Sequence, residues 1–212
     1  MKRGAKAEKI LAILEETYQG SESALRFGSV FQLMVAVILS AQTNDQQVNR
    51  ITAELFPRYG EAAAFAALEP QQLEPLISSC GLYRSKAKNI IAASRLIMEK
   101  FGGEVPSTKE ELLTLPGVGT KTANVILAVG FGIPALAVDT HVHRVANRLG
   151  LADSKTPEQT EAALTALIPK EKWADAHHWL IWHGRRVCFA RNPNCAGCPL
   201  NALCPSRVIV KG

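Results

Sequence analysis

The stretch Leu115-Pro116-Gly117-Val118-Gly119-Thr120-Lys121-Thr122-Ala123 leaves the backbone little choice. A helix-like run over 109–114 stops at a proline, and a second run follows over 124–130. Between them, two glycines one residue apart permit a tight turn, because glycine accepts positive φ and lets a foreign backbone come close. The first N–H groups of the second helix then lack partners within it and point outward. They form an anion cradle suited to phosphate. Taken alone, the two glycines fit a plain corner between helices better than a ligand site. Lys121 shifts that balance. It falls in the first turn of the second helix, where the dipole disfavours a cation. Local rules broken without evident gain tend to mark functional sites. The same field favours the neutral amine, the form a nucleophilic lysine needs. A phosphate-contacting or solvated lysine fits the local pattern equally well.

The remainder of the chain reads as helix after helix. Residues 2–19 carry Ile10, Leu11, Ile13 and Leu14 among charges, an amphipathic surface helix. Residues 27–41 read as a helix buried nearly all round, the centre of a core. Asn44 can cap a helix over 45–56 that Pro57 stops. Short helices follow over 61–67 and 70–77. After a break at Gly81 comes a longer one over 85–101, closed by Gly102-Gly103. Beyond the hairpin, Asp139 starts a helix to 149, Thr156 or Pro157 opens one to 167, and 172–187 is a Trp- and His-rich helix. Sustained strand-like alternation is absent, so the fold class is all-α, with no fixed-period repeat.

The chain carries 24 Lys and Arg against 19 Asp and Glu, a net charge of +5. The excess is clustered. Residues 176–212 hold Arg185, Arg186, Arg191, Arg207 and Lys211 with no acid. Residues 77–103 hold Arg84, Lys86, Lys88, Arg95 and Lys100 against Glu99 alone. Clustered bases fit a polyanion partner. Two solvated faces fit the charge count by itself better. No apolar run approaches the ~18 residues of a membrane span, and the amino terminus has no signal-peptide core. A cytoplasmic, bacterium-like setting is expected. Four of the five cysteines stand as Cys188-x6-Cys195-x2-Cys198-x5-Cys204, unlike a secreted disulfide framework. Four thiolates can hold a [4Fe–4S] cluster or a tetrahedral zinc, and the spacing alone decides neither. Asp139 reads first as a helix cap, ionised and facing the dipole.

Together these motifs resemble the endonuclease III family of DNA glycosylases. The stretch 115–123 is similar to that family's helix-hairpin-helix. Val138-Asp139-Thr140-His141-Val142 is similar to its segment bearing the catalytic aspartate, and the four cysteines to its iron–sulfur loop. The resemblance runs over roughly 27–207, weakest at the amino terminus, with the motifs in the family's order. It implies two helical lobes: a six-helix lobe with the hairpin over 22–133, and a discontinuous lobe of 1–21 plus 134–212 carrying a [4Fe–4S] cluster loop. The partner it implies is double-stranded DNA containing damaged pyrimidines or abasic sites. It further implies a monomer, associated with the nucleoid and without a membrane.

The activity the resemblance implies is that of a bifunctional glycosylase and AP lyase removing oxidised pyrimidines. A base leaves the stack, because its C1′ cannot be reached inside a duplex. Lys121 displaces it to form a Schiff base, and Asp139 supplies the ionised carboxylate. A lysine at 121 argues against the water-using adenine-mismatch branch. Gln42 and Leu82 match positions that fill the opened duplex, plug and wedge. Gly117, Val118, Gly119 and Thr120 match the hairpin's DNA contacts, while Ser40 and His141 match residues near the lesion pocket. Arg185 and Arg191, with Arg186, Lys86 and Lys88, are candidates for phosphate. Cys188, Cys195, Cys198 and Cys204 match the cluster ligands. Two other readings compete. A non-catalytic DNA-binding module requires neither Lys121 nor Asp139, and an iron–sulfur electron carrier requires no hairpin.

Overall fold

The computed structural model describes residues 3–21 and 23–207, and among them there are helices and no strand. Lys2, counted into the first helix, Glu22, at the boundary of the middle lobe, and Lys211, among the carboxy-terminal bases, lie outside the described residues. The helices run α1 Arg3–Tyr18, α2 Val30–Ser40, α3 Asp45–Leu55, α4 Ala62–Ala66, α5 Pro70–Leu73 and α6 Tyr83–Lys100. Then come α7 Lys109–Leu112, α8 Thr120–Val125, α9 Thr140–Leu149, α10 Pro157–Thr165 and α11 Trp173–Arg186. The chain divides into two compact units, one made of Ser23–Ile133 and the other of Met1–Glu22 with Pro134–Gly212.

The continuous unit is built around α2. Phe31 and Leu33 through Leu39 are buried, so the helix presents no solvent face. Such a helix belongs at the centre of a core. It starts three residues later than the apolar run predicts. Ser29 accepts from the backbone N–H of Gln32 and so caps the helix there, while Gln32 Oε1 takes the N–H of Gly28 at 2.8 Å. Helices α3, α6 and α8 pack on α2, and α4 and α5 pack on α6. Asn44 caps α3 by accepting from Gln47 N–H. The helix expected over 70–77 is two pieces, α5 and a 3-10 turn Pro75–Ile77. Pro75 has no N–H to continue the ladder.

Helix α8 does not run evenly to Gly130. From Ile126 to Gly130 it widens into a π turn. A Cβ on Gly130 would stand 3.0 Å from Val30 Cγ1 and 3.2 Å from Leu33 Cδ2, so this glycine permits the close approach to α2.

The discontinuous unit joins the chain's two ends. Ile10 and Leu14 of α1 are fully buried with Val142 and Val145 of α9, Leu164 of α10, Leu180 of α11 and Leu200. α1 packs along α11, and α9 packs on both α10 and α11. The apolar stripe of α1 faces this core, as its periodicity predicts. Which helices it would meet is not encoded in that stripe.

Candidate active site

The hairpin is formed by α7, the turn at 113–119 and α8. Leu115 and Val118 are buried and anchor the turn, and Val118 N–H donates to the Leu115 carbonyl at 3.0 Å. The two glycines have different tasks. Gly117 has φ +82°, and a Cβ there would come within 2.9 Å of Asn89 Cβ on α6. Gly119, at φ −97°, has a backbone any residue adopts, and a Cβ there would meet nothing within 4 Å. The first glycine shapes the turn, and the second leaves its outer surface clear. Gly119 offers no side chain to cap α8, so the first N–H groups of that helix receive no side-chain cap from it. Lys121 is exposed in that first turn.

Elsewhere in the same unit the structure brings Gln42 and Leu82 to adjoining turns. Both have left-handed backbones, φ 55° and 59°, rare for residues with side chains. Such conformations persist only where the surroundings over-determine them, and they cluster at functional sites. Gly81 backs directly against Gln42, its would-be Cβ 3.2 Å from the Gln42 carbonyl oxygen. Gln42 is exposed, and Leu82 is 59% exposed, an unusual position for a leucine. Ser40 is half-buried and spends its hydroxyl on the Val37 carbonyl at 2.8 Å. Lys86 is not available for phosphate. It is 4% exposed, its ammonium turned inward onto backbone oxygens, whereas Lys88 is exposed.

In the discontinuous unit, Asp139 caps α9. Oδ1 accepts from the N–H groups of His141 and Val142, both at 2.8 Å, and Oδ2 lies 3.1 Å from His141 Nδ1. Burial pushes this carboxyl up. The His141 side-chain bond, the Val142 N–H and the fields of His141 and His177 outweigh it, bringing the pKa down to about 2. Asp139 is therefore an ionised, largely buried carboxylate at neutral pH. His177, buried on α11, holds the segment before it, with Nδ1 2.8 Å from the Ala137 carbonyl oxygen. In the sequence His177 is one histidine among several, and no local signal sets it apart.

The four cysteines carry no disulfide and line one cavity, with His183 and Arg148 in its wall. Among the described residues, no three His, Cys, Asp or Glu side chains close on a single metal ion. A tetrahedral zinc draws its sulfurs to about 2.3 Å from one point. A wider ring of thiols suits a multi-iron cluster. Burial pushes the Cys198 and Cys204 thiols up, so holding them as thiolates calls for positive charge, which cluster irons supply. Two arginines of α9 clasp this loop. Arg144 donates to the carbonyls of Gly184 (3.0 Å) and Cys188 (3.1 Å). Arg148 donates to the Phe189 and Ala190 carbonyls (2.7 and 3.0 Å), with Nη1 3.4 Å from Cys188 Sγ. Their spacing of four residues puts them on one face of α9, a signal that becomes readable only when the loop's position is known. Arg185 and Arg191 are exposed, and the Arg186 guanidinium lies over the Trp182 ring at 4.4 Å to its centroid.

A helix-hairpin-helix in an all-helical chain with a carboxy-terminal thiol cavity defines an iron–sulfur class of DNA repair proteins. Residues 35–170 match the HhH-GPD superfamily of base excision DNA repair proteins, and 188–204 match the iron–sulfur binding domain of endonuclease III. Endonuclease III of Synechocystis sp. is 50% identical over 202 residues, covering 95% of this chain and 92% of that protein. Endonuclease III of Escherichia coli (strain K12) is 46% identical over 200 residues, covering 94% and 95%. A solved structure of a trapped endonuclease III–DNA covalent intermediate, an estranged-adenine complex, matches with a TM-score of 0.93 and 41% identity over 97% of each chain. The chain belongs to the endonuclease III family. As a member it is a DNA glycosylase with AP lyase activity, and it carries a [4Fe–4S] cluster in its carboxy-terminal loop.

Proposed function

We propose that this glycosylase removes oxidised pyrimidines from duplex DNA through a lysine Schiff base and nicks the strand by β-elimination. One observation carries the reading: the exposed Lys121 stands in the first turn after the hairpin, in a chain similar over 97% of its length to an endonuclease III captured covalently on DNA. The damaged base leaves the stack. The neutral Lys121 amine attacks C1′, the N-glycosidic bond breaks, and the base departs with a proton. The C1′ aminal becomes a protonated Schiff base as its bond to the ring oxygen breaks, and that oxygen takes up the proton the amine gave to Asp139, becoming the C4′ hydroxyl. Loss of a C2′ proton then breaks the bond to the 3′ phosphate. Asp139, ionised at neutral pH, stabilises positive charge as it develops at C1′ and accepts a proton as the amine bonds. Gln42 and Leu82 occupy the space the base vacates. Thr120 and the backbone of 117–119 hold phosphate, as do Arg185 and Arg191, while Ser40 and His141 border the lesion pocket. Cys188, Cys195, Cys198 and Cys204 are the four cluster ligands; bound there, the cluster fixes the loop's shape. The protein works as a monomer in the cytoplasm, near the nucleoid.

Borohydride trapping tests this. Labelled duplexes bearing thymine glycol or an abasic site should each give a covalent protein–DNA band. Lys121→Ala should abolish both bands, and Asp139→Asn should weaken the thymine glycol band. A band with the abasic duplex alone would keep the lyase step but discard the oxidised-pyrimidine substrate. No band, with duplex binding intact, would remove Lys121 as nucleophile.

A further inference from the structure

Lys86 has no step in the reaction above, yet its ammonium is held with unusual completeness. The side chain is 4% exposed. Nζ donates to the Leu39 carbonyl at 2.8 Å, the Ala41 carbonyl at 2.6 Å and Thr43 Oγ1 at 3.1 Å. Three uncharged oxygens thus receive it. Burial lowers its pKa from the ordinary lysine value. A buried charge is costly unless it is paired and hydrogen-bonded, and here hydrogen bonds to neutral oxygens alone receive it.

These partners have one thing in common. Leu39 lies in the last turn of α2, whose final carbonyls lack partners within the helix and form the negative end of its dipole. Ala41 and Thr43 flank Gln42 in the sequence. On its other side, the Lys86 backbone N–H donates to the Leu82 carbonyl at 3.1 Å. One residue therefore grips both neighbours of Gln42 with its side chain and Leu82 with its backbone. Gly81 adds the direct contact, lying against the Gln42 carbonyl. Two left-handed, non-glycine turns need such over-determination to persist.

We infer that Lys86 is a positioning residue that locks the Gln42 and Leu82 turns together as one rigid prong for the opened duplex. The inference rests on the plug and wedge roles proposed above. An ordinary helix-capping lysine would contribute to stability alone, and the difference can be measured. A prong matters only where a base stack must be held apart.

The test uses the full chain with its cluster. Lys86→Met preserves much of the length and removes the charge. Single-turnover nicking of an abasic duplex should fall about tenfold to a hundredfold, the scale expected when a positioned group moves by about 1 Å. The fluorescence rise of 2-aminopurine stacked beside a tetrahydrofuran abasic analogue should shrink in step. Borohydride trapping on a single-stranded abasic oligonucleotide, which has no stack to hold open, should be unchanged. Gln42→Ala with Leu82→Ala should reproduce this pattern, and adding Lys86→Met should cause no further loss. Equal losses on single and double strands, no loss on either, or a fully additive triple variant each overturn the inference. Should Lys86→Met not fold, Gly81→Ala displaces one turn against the other without touching the ammonium. The same duplex-only loss is expected, and an unaltered duplex rate overturns the inference. If the unsubstituted protein gives no adduct on any strand, it is the Schiff-base reading that fails. The 2-aminopurine signal requires no chemistry and still reports on Lys86.

Discussion

At Asp139 a single carboxylate caps α9 and, in the proposed reaction, also meets the charge developing at C1′. Its folded pKa, about 2, lies below the roughly 3.9 of an unfolded aspartate. As pH falls through that interval the unfolded chain takes up the proton first. The stabilisation is therefore full above about pH 5 and fades towards pH 2, worth on the order of 2 kcal/mol for a side chain this well buried. Asparagine caps helices as well as aspartate does, so Asp139→Asn removes the charge and little else. Urea midpoints of the two proteins should differ by a constant amount above about pH 5 and converge progressively as pH falls from there towards 2. A difference independent of pH would contradict the assignment. The cap at Asp139 is legible in the sequence, because a polar residue before a periodic helix has few other uses. Lys86 is not. In Arg84-Ser85-Lys86-Ala87-Lys88 it reads as one base among three, and only the depth of α6 in the core separates it from Lys88.

For the elements, the hairpin offers the sharpest contrast. Gly117→Ala places a side chain at φ +82° and 2.9 Å from Asn89 Cβ, which should cost about 1–2 kcal/mol for the backbone and more for the contact. Gly119→Ala meets open space at an ordinary φ, so stability should stay within about 0.5 kcal/mol. Duplex affinity should nevertheless fall, since the new methyl stands on the surface a phosphate backbone would approach. Thermal melting beside fluorescence anisotropy separates the two effects. Strength of affinity in Gly119→Ala equal to the parent's would take Gly119 out of the DNA contacts. The caps and stops of α2, α3, α9 and α10 follow from short-range chemistry, and the sequence signals them to within a few residues. The π turn after α8 and the left-handed turns at Gln42 and Leu82 arise from tertiary packing on α2 and α6. No residue type announces them.

Across the whole molecule, the basic clusters predict how binding responds to salt. If about six phosphates are neutralised, duplex affinity should drop by about 10³ between roughly 50 and 200 mM salt. A flat response in a titration would exclude the exposed arginines as phosphate contacts. Composition alone shows the charge excess, and the cysteine spacing shows a metal loop. Neither shows that the four thiols line one cavity, nor that α1 shares a core with α9 and α11. That shared core has a consequence in time. The unit of Ser23–Ile133 is a continuous segment, complete once its last residue clears the ribosome. Helix α1 is made first, yet its apolar stripe has no cover until Trp173–Arg186 has been translated. During synthesis at about 5–20 residues per second, the earliest helix waits many seconds with Ile10 and Leu14 bare. A ribosome stalled near residue 170 should therefore carry one finished unit and one exposed helix, the form of this chain most in need of a chaperone.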